Sequence, residues 1–331
     1  MIHNMITLDK KKLKTTVAHE ELRDPGDLFK RSMVSLFLVH HLHHFAGYFG
    51  QDEINKADFF SVLNKNMITV VTLALRHLQS CSCNAYEIGE LVRHKQGDLY
   101  KIDENLQLGG AVYSNISLSN HSCCHNTMRN NVGFSGVVRA SKTIQNGEEI
   151  SDNYGYYFQI KSTAERRSTL KAQYYFDCIC TACRDNWPGY RDLPSGNIRY
   201  VCPGCKADVK KPTDKKCSKC KKELKLSKLL RYMAKLSEDV SMALPSLNNE
   251  NVNTHLTHFT NILREMEGRV KHPCKEFIIC QQLISQCFSL NSNMSTVIEG
   301  GKKEIVEIED ISDETEDDSD EDDENDLPEL I

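Results

Sequence analysis

The stretch Asn120-His121-Ser122-Cys123-Cys124-His125-Asn126 decides how this 331-residue chain is read, and two later pieces belong with it. The first is Gly147-Glu148-Glu149-Ile150-Ser151-Asp152-Asn153-Tyr154-Gly155. The second begins at Glu165-Arg166-Arg167 and runs through Gln173-Tyr174-Tyr175-Phe176 to Cys178-Ile179-Cys180-Thr181-Ala182-Cys183. Cysteines 178, 180 and 183 can each offer a thiolate to one metal ion, and a closed structural zinc site takes four ligands. Cys123 or Cys124 is the available fourth donor, and register favours Cys123. Such a bond folds the end of the stretch back onto its start and leaves a pocket between them.

A second metal pattern lies downstream. Cys202-Pro203-Gly204-Cys205 and Cys217-Ser218-Lys219-Cys220 are separated by eleven residues. Two CxxC knuckles around a short hairpin describe a four-cysteine zinc ribbon. The segment is rich in lysine but has no aromatic residue between Cys202 and Cys220 to stack on a base. A solvated basic surface is therefore the expectation, and nucleic acid is not expected as a partner.

The chain has fourteen cysteines and 40% apolar residues. Met1 to Lys14 shows no apolar signal-peptide core, and the apolar run Met33 to Val39 is too short to cross a bilayer. Clustered CxxC cysteines in a reducing compartment mean metal more often than disulfides. A soluble intracellular protein with no membrane partner is expected.

The order of the three pieces resembles the SET domain of protein-lysine methyltransferases, and more narrowly the SET-and-MYND-domain (SMYD) family, of the member type with long helical repeats. The carrying motifs are NHSC-x2-N, GEE-I-x3-Y, the ERR helix and QY-x-F-x-C-x-C-x2-C, between about Cys83 and Cys183. The resemblance implies an α+β fold: a SET-domain β-fold with a helical insert, a cysteine-rich post-SET zinc site, the zinc ribbon and C-terminal helical repeats. It implies transfer of a methyl group from S-adenosylmethionine to lysine side chains of histone or non-histone proteins. By position Tyr154 matches the family's catalytic tyrosine and also borders the cofactor. Asn84, Asn120, His121 and Phe176 match cofactor-holding positions. Zinc would be held by Cys123, Cys178, Cys180 and Cys183, and by Cys202, Cys205, Cys217 and Cys220. Asn126 is expected to cap the backbone of its own turn. Residence in nucleus and cytoplasm is implied as well.

Family members also carry a glycine-containing N-terminal segment and a MYND finger of seven cysteines and a histidine. Neither is recognisable before Asp24, so the resemblance predicts weak cofactor binding and weak activity for this chain alone. The competing reading is a non-catalytic, zinc-braced SET-like interaction module in transcriptional regulation.

The remaining elements are placed by periodicity. Asp24-Pro25-Gly26-Asp27 signals a helix start, and Leu28 to Tyr48 follows with Leu28, Met33, Leu36, Phe37, His40 and His44 on one face. Its histidines lack an acidic or cysteine partner and are expected to be structural. A second helix is expected over residues 56–80, and strands over Tyr86–Val92, Ala111–Leu118, Gly133–Ala140 and Glu149–Tyr154. His94–Gly110 reads as a loop. Three helical patterns occupy residues 227–292. The resulting domain order is 1–80 helical insert, 81–160 SET core, 161–190 post-SET zinc segment, 198–226 ribbon, 227–297 helical region and 298–331 acidic tail.

The net charge of −5 hides an asymmetry: residues 299–331 hold 17 acids and two lysines, so the rest of the chain is strongly basic. The tail has too little apolar surface to fold and is expected to be disordered. Its Ile305-Val306-Glu307-Ile308, followed by Glu309-Asp310, resembles a SUMO-interacting motif, and Thr315 and Ser319 resemble acidophilic kinase sites. SUMO or a basic protein is the expected tail partner.

Overall fold

The computed structural model describes residues 17–50, 63–96, 99–248, 250–290 and 292–298. After a short 3-10 turn at Glu20–Leu22 the chain forms α1 (Pro25–His44), α2 (Lys65–Asn84), β1 (Tyr86–Gln96) and β2 (Leu99–Ala111). A second 3-10 turn, Ile116–Leu118, leads to β3 (Asn120–His121), β4 (Thr127–Val132), β5 (Ser135–Ala140) and β6 (Ser151–Asp152). Then come α3 (Thr163–Tyr174), α4 (Thr181–Arg184), α5 (Ser227–Ser246), α6 (Val252–Met266), α7 (Lys275–Ser289) and β7 (Met294–Ile298). Two compact units are drawn from interleaved segments: one from Met1–Glu87, Gly109–Cys124 and Asn153–Asn186, the other from Ile88–Leu108, His125–Asp152 and Trp187–Ile331.

In the first unit α1 starts as its sequence dictates. The Asp24 carboxylate accepts from the N–H groups of Gly26 and Asp27, and Pro25 occupies the first turn. The buried stripe is Ser35, Val39 and His43, whereas Met33 and Phe37 of the expected face are exposed. Helix α2 packs against α1, is capped by Asn64 and buries Met67. It runs four residues past the expected end, so Cys81 and Cys83 lie in its last turn; no glycine or proline stands there to stop it. Residues 56–62 of that expected helix lie outside the described residues.

Arg23 ties this unit together. Its buried guanidinium donates to the carbonyls of Ala18 and Gln79, to Ser82 Oγ, to Asp27 and to the Tyr175 hydroxyl. One side chain thus joins the N-terminal approach, α1, the end of α2 and the segment after α3.

The expected strand Ala111–Leu118 does not form beyond Ala111. Tyr86 Oη donates to the Ile116 carbonyl and Ser117 Oγ to the Asn84 carbonyl, so these side-chain bonds hold a 3-10 turn where a ladder was expected.

In the second unit β1 pairs with β7 in parallel, from Leu91 opposite Met294 to Lys95 opposite Ile298, in a sheet of order β2-β1-β7. The expected loop His94–Gly110 is therefore mostly strand. Its alternation, Tyr100 with Ile102 and Leu106 with Leu108, was masked by charged neighbours and glycines. Strands β4 and β5 form a hairpin from Thr127 opposite Ala140 to Val132 opposite Ser135. Gly133 makes the turn at φ 57°, so the expected strand Gly133–Ala140 begins only at Ser135. The expected Glu149–Tyr154 strand shrinks to Ser151–Asp152.

Asn126 reaches across sequence and does not cap its own turn. Its Oδ1 accepts from Ser151 N at 2.9 Å and its Nδ2 donates to the Glu149 carbonyl at 2.8 Å. Nearby Thr127 Oγ1 donates to the Ser151 carbonyl. The asparagine that ends the NHSC motif therefore clamps the GEE-I-S segment.

The core of this unit is where α5, α6 and α7 meet the ribbon. Leu229, Leu236, Phe259, Ile262, Met266, Phe277 and Leu283 bury with Cys202, Cys217 and Leu224. Each such apolar side chain contributes about 1.5–3 kcal/mol on burial. No helix among the described residues is long and apolar enough to cross a membrane. The tail motif Ile305–Ile308 and Thr315 and Ser319 lie outside the described residues.

Asn126→Ala removes both ends of the clamp and strands buried backbone groups near Ser151. It should destabilise the second unit by about 1–3 kcal/mol in denaturant unfolding of the metal-loaded chain. A loss under about 0.5 kcal/mol would show that the clamp is redundant.

Candidate metal and cofactor site

The site lies within the first unit, where three separate sequence segments converge. Cys123, from the NHSC turn, meets Cys178, Cys180 and Cys183, and the four sulfurs lie within 4.8 Å of one another. Cys123 Sγ is 4.0 Å from Cys178 Sγ and 3.5 Å from Cys183 Sγ. A tetrahedral zinc with about 2.3 Å bonds separates its sulfurs by about 3.8 Å, so this donor set fits the ion. Cys124 stands outside the group, with its sulfur 3.5 Å from Ser122 Oγ. Of the two neighbouring cysteines, the one in the four-sulfur group is Cys123, which register favours.

With no cation among them, these sulfurs cannot all ionise. Hydrogen bonding to Cys178 and Cys180, together with burial, pushes the Cys123 thiol far up. Cys180 is held far down because Cys123, Cys124 and Cys178 donate to it. Cys178 is pushed up to about 11: the bond with Cys123 favours its thiolate, but Cys180 and burial outweigh it. A divalent ion removes this conflict and lets all four deprotonate.

The ERR motif supports the same sulfurs. Helix α3 opens with a capping box between Ser162 and Glu165, which sets its first turn. Arg166 is fully buried and donates through Nη2 to Cys183 Sγ at 3.5 Å. Burial works against its charge, but the sulfurs of Cys183 and Cys123 more than offset that. Arg167 donates to the backbone carbonyls of Cys178 and Cys183 at 3.1 and 3.2 Å. Adjacent arginines thus hold the sulfurs and the backbone of the cysteine loop.

His121 connects this cluster to Tyr154. The Tyr154 backbone N–H donates to His121 Nδ1 at 3.1 Å, so Nδ1 is the acceptor and the proton sits on Nε2. Nε2 faces Cys123 Sγ at 3.3 Å and donates to it. The Tyr154 hydroxyl donates to the Ser119 carbonyl at 2.7 Å. The Tyr154 ring lies 4.8 Å from Tyr174 and 5.2 Å from His121, and Phe176 lies 6.1 Å from His121. Four half-buried rings thus form one aromatic group beside the sulfur cluster.

Asn153 belongs to the site although only its neighbour Tyr154 stood out in the sequence. It is buried, donates to the carbonyls of Ser122 and Tyr156, and accepts from Gly155 N at 2.8 Å. Gly155 sits at φ 101°, which a side chain would oppose. Asn-Tyr-Gly is thus a turn signal that presents Tyr154. Asn120 is exposed on β3. Asn84 is buried, and its amide donates to the Ser80 and Val17 carbonyls, so its donor closes α2 onto the N-terminal approach.

The second cysteine group is in the other unit. Cys202, Cys205, Cys217 and Cys220 also bring their sulfurs within 4.8 Å, with Cys202 to Cys220 at 3.6 Å and Cys205 to Cys217 at 3.7 Å. Each knuckle turns back on itself through a bridge, Val201 with Asp208 and Lys216 with Glu223. Backbone N–H groups hold the Cys217 thiol down to about 6. Cys220, despite a donor at Lys222, is pushed up to about 11 by burial and the other three sulfurs. Both groups could hold zinc. Among the described residues no third group of this kind occurs, and the histidines of α1 form none.

The chain should hold two metal equivalents by native mass spectrometry. Cys123→Ser should lose one of them, whereas Cys124→Ser should keep both. Equal loss from the two variants would contradict the assignment.

Comparison with known proteins finds likeness over part of the chain. Residues 9–155 match the SET domain. The human protein-lysine N-methyltransferase SMYD4 is 35% identical over 112 residues, covering 33% of this chain and 14% of that protein. Its mouse counterpart is 29% identical over 172 residues, covering 51% and 21%. The chicken N-lysine methyltransferase SMYD2 is 38% identical over 82 residues, covering 24% and 18%. The chain thus spans only about a fifth of the length of these relatives, or less.

Proposed function

We propose that this chain, which belongs to the SMYD family of SET-domain proteins, carries the methyl-transfer site of an S-adenosylmethionine-dependent protein-lysine methyltransferase. The observation that carries the reading is the convergence, in one unit, of the NHSC turn, Tyr154 and the Phe176 segment around a four-sulfur cluster. When bound, S-adenosylmethionine supplies a methyl group on a sulfonium that is already a good leaving group.

The task left to the protein is alignment and desolvation. A half-buried group of four aromatic rings suits a flat, cationic ligand, whose charge the ring faces attract. In this reading Phe176 and His121 border the adenosyl group, and exposed Asn120 contributes at its edge. A substrate lysine amine has an ordinary pKa of about 10.4, so its neutral form is scarce at neutral pH. Aromatic walls and a nearby positive charge favour the neutral amine. Tyr154 orients that amine, and its own hydroxyl is fixed by the Ser119 carbonyl. The reading takes protein lysines, of histones or other proteins, as substrates, and nucleus and cytoplasm as the setting.

The test is calorimetric binding of S-adenosylmethionine to the metal-loaded chain, with label transfer onto mixed histones and a cell lysate. Tyr154→Phe should lower transfer at least tenfold while changing cofactor affinity less than about threefold. Neither binding nor transfer at any cofactor concentration would favour a non-catalytic interaction module. Loss of affinity equal to the loss of rate would make Tyr154 a wall and no more.

A further inference from the structure

The charge of the ribbon in the second unit is unusual. From Cys202 through Lys225 the chain has nine lysines and three acids. Lys210, Lys211, Lys215, Lys216, Lys219 and Lys222 are all exposed. Among the described residues none of these six ammonium groups has an ion-pair partner, whereas Lys225 and Lys228 pair with Glu223 and Glu265. A divalent ion on four thiolates leaves two negative charges at the site, which only partly offsets the excess. The ribbon is anchored by Cys202, Cys217 and Leu224 in the core with α5–α7, so its lysines ride on a fixed support.

The chain contains the complementary charge. Residues 299–331 hold 17 acids and two lysines. They are tethered at Ile298, the end of β7, in the same compact unit as the ribbon. Fully extended, such a tail spans on the order of 110 Å, so its length keeps no face of the unit out of reach. Tethering raises the local concentration of its carboxylates to about the millimolar range. A base-stacking occupant is disfavoured, because no aromatic residue lies between Cys202 and Cys220. A polycarboxylate needs no stacking surface. We propose that the lysine face of the ribbon binds the chain's own acidic tail, residues 299–331, which any other polyanion must displace.

The contact is many weak pairs, so it is dynamic and falls steeply with salt. Carbodiimide treatment of the metal-loaded full chain joins amines to carboxylates only where they touch. Tail carboxylates should couple preferentially to Lys210, Lys211, Lys215, Lys216, Lys219 and Lys222. The yield should drop at least fivefold between about 50 mM and about 500 mM salt as the screening length shortens. In the full chain with Lys210, Lys211, Lys215 and Lys216 all changed to Gln, tail amide signals should move to those of a free 299–331 peptide. Because none of the four is a metal ligand, that variant should still carry two metal equivalents. Tail cross-links spread over all exposed lysines in proportion to their exposure would overturn the proposal. So would tail amides that match the free peptide in the unaltered chain, a result independent of how the variant folds. Cross-links between isotopically light and heavy chains, in place of links within one chain, would make a second copy the source and overturn it equally.

Discussion

Four sulfur atoms within 4.8 Å of one another cannot all be thiolates unless a cation lies among them, and the first unit depends on that constraint. The sulfurs come from positions 123, 178, 180 and 183, so satisfying them joins segments 55 to 60 residues apart. Without the ion, the charge that Cys180 gains is charge that Cys123 gives up. With it, the end of the cysteine loop is fixed against the NHSC turn. Phe176, two residues before Cys178, is then fixed beside His121.

Around the sulfurs lies a layer of hydrogen bonds that transmits their position. Arg166 and Arg167 hold the sulfurs and carbonyls from the α3 side. His121 holds Cys123 with one ring nitrogen and the Tyr154 backbone with the other. Outer partners of this kind orient metal ligands and tune them. Here they do a second job, because the same histidine also fixes the Tyr154 backbone. Asn153 closes the arrangement by tying Ser122 to the Tyr154 turn. The same few side chains therefore hold both the sulfur cluster and the Tyr154 turn in this unit.

Residues whose chemistry demands a spacing were legible in the sequence. Both cysteine quartets were readable from CxC and CxxC patterns, and Cys123 from register. Helices α5, α6 and α7 followed from apolar periodicity, and α1 from the Asp24-Pro25 start. What stayed hidden was set by contacts distant in sequence. Asn126 looked like a local cap because nothing in its surroundings names Ser151 as its partner. Nothing in the sequence around Arg23 sets it apart, yet it is buried and joins four segments. Strand β2 was obscured by its glycines and charges, and β7 by its polar flanks; β7 pairs with β1, some two hundred residues earlier. The tract Ala111–Leu118 failed the other way: its apolar residues suggested a strand, but side chains at Tyr86 and Ser117 fold it into a turn.

With an ion at the Cys123 site, metal closure would build the aromatic group of the first unit. The direct measurement is two-dimensional proton NMR of the loaded chain with selectively labelled aromatic residues, during stepwise removal of metal by a chelator. Contacts between the rings of Tyr154 and Tyr174, and between those of His121 and Phe176, should vanish together as the Cys123 site empties. The second unit's Phe259 should keep its core contacts through that step. Ring contacts that persist unchanged after the Cys123 site has lost its ion would contradict the claim.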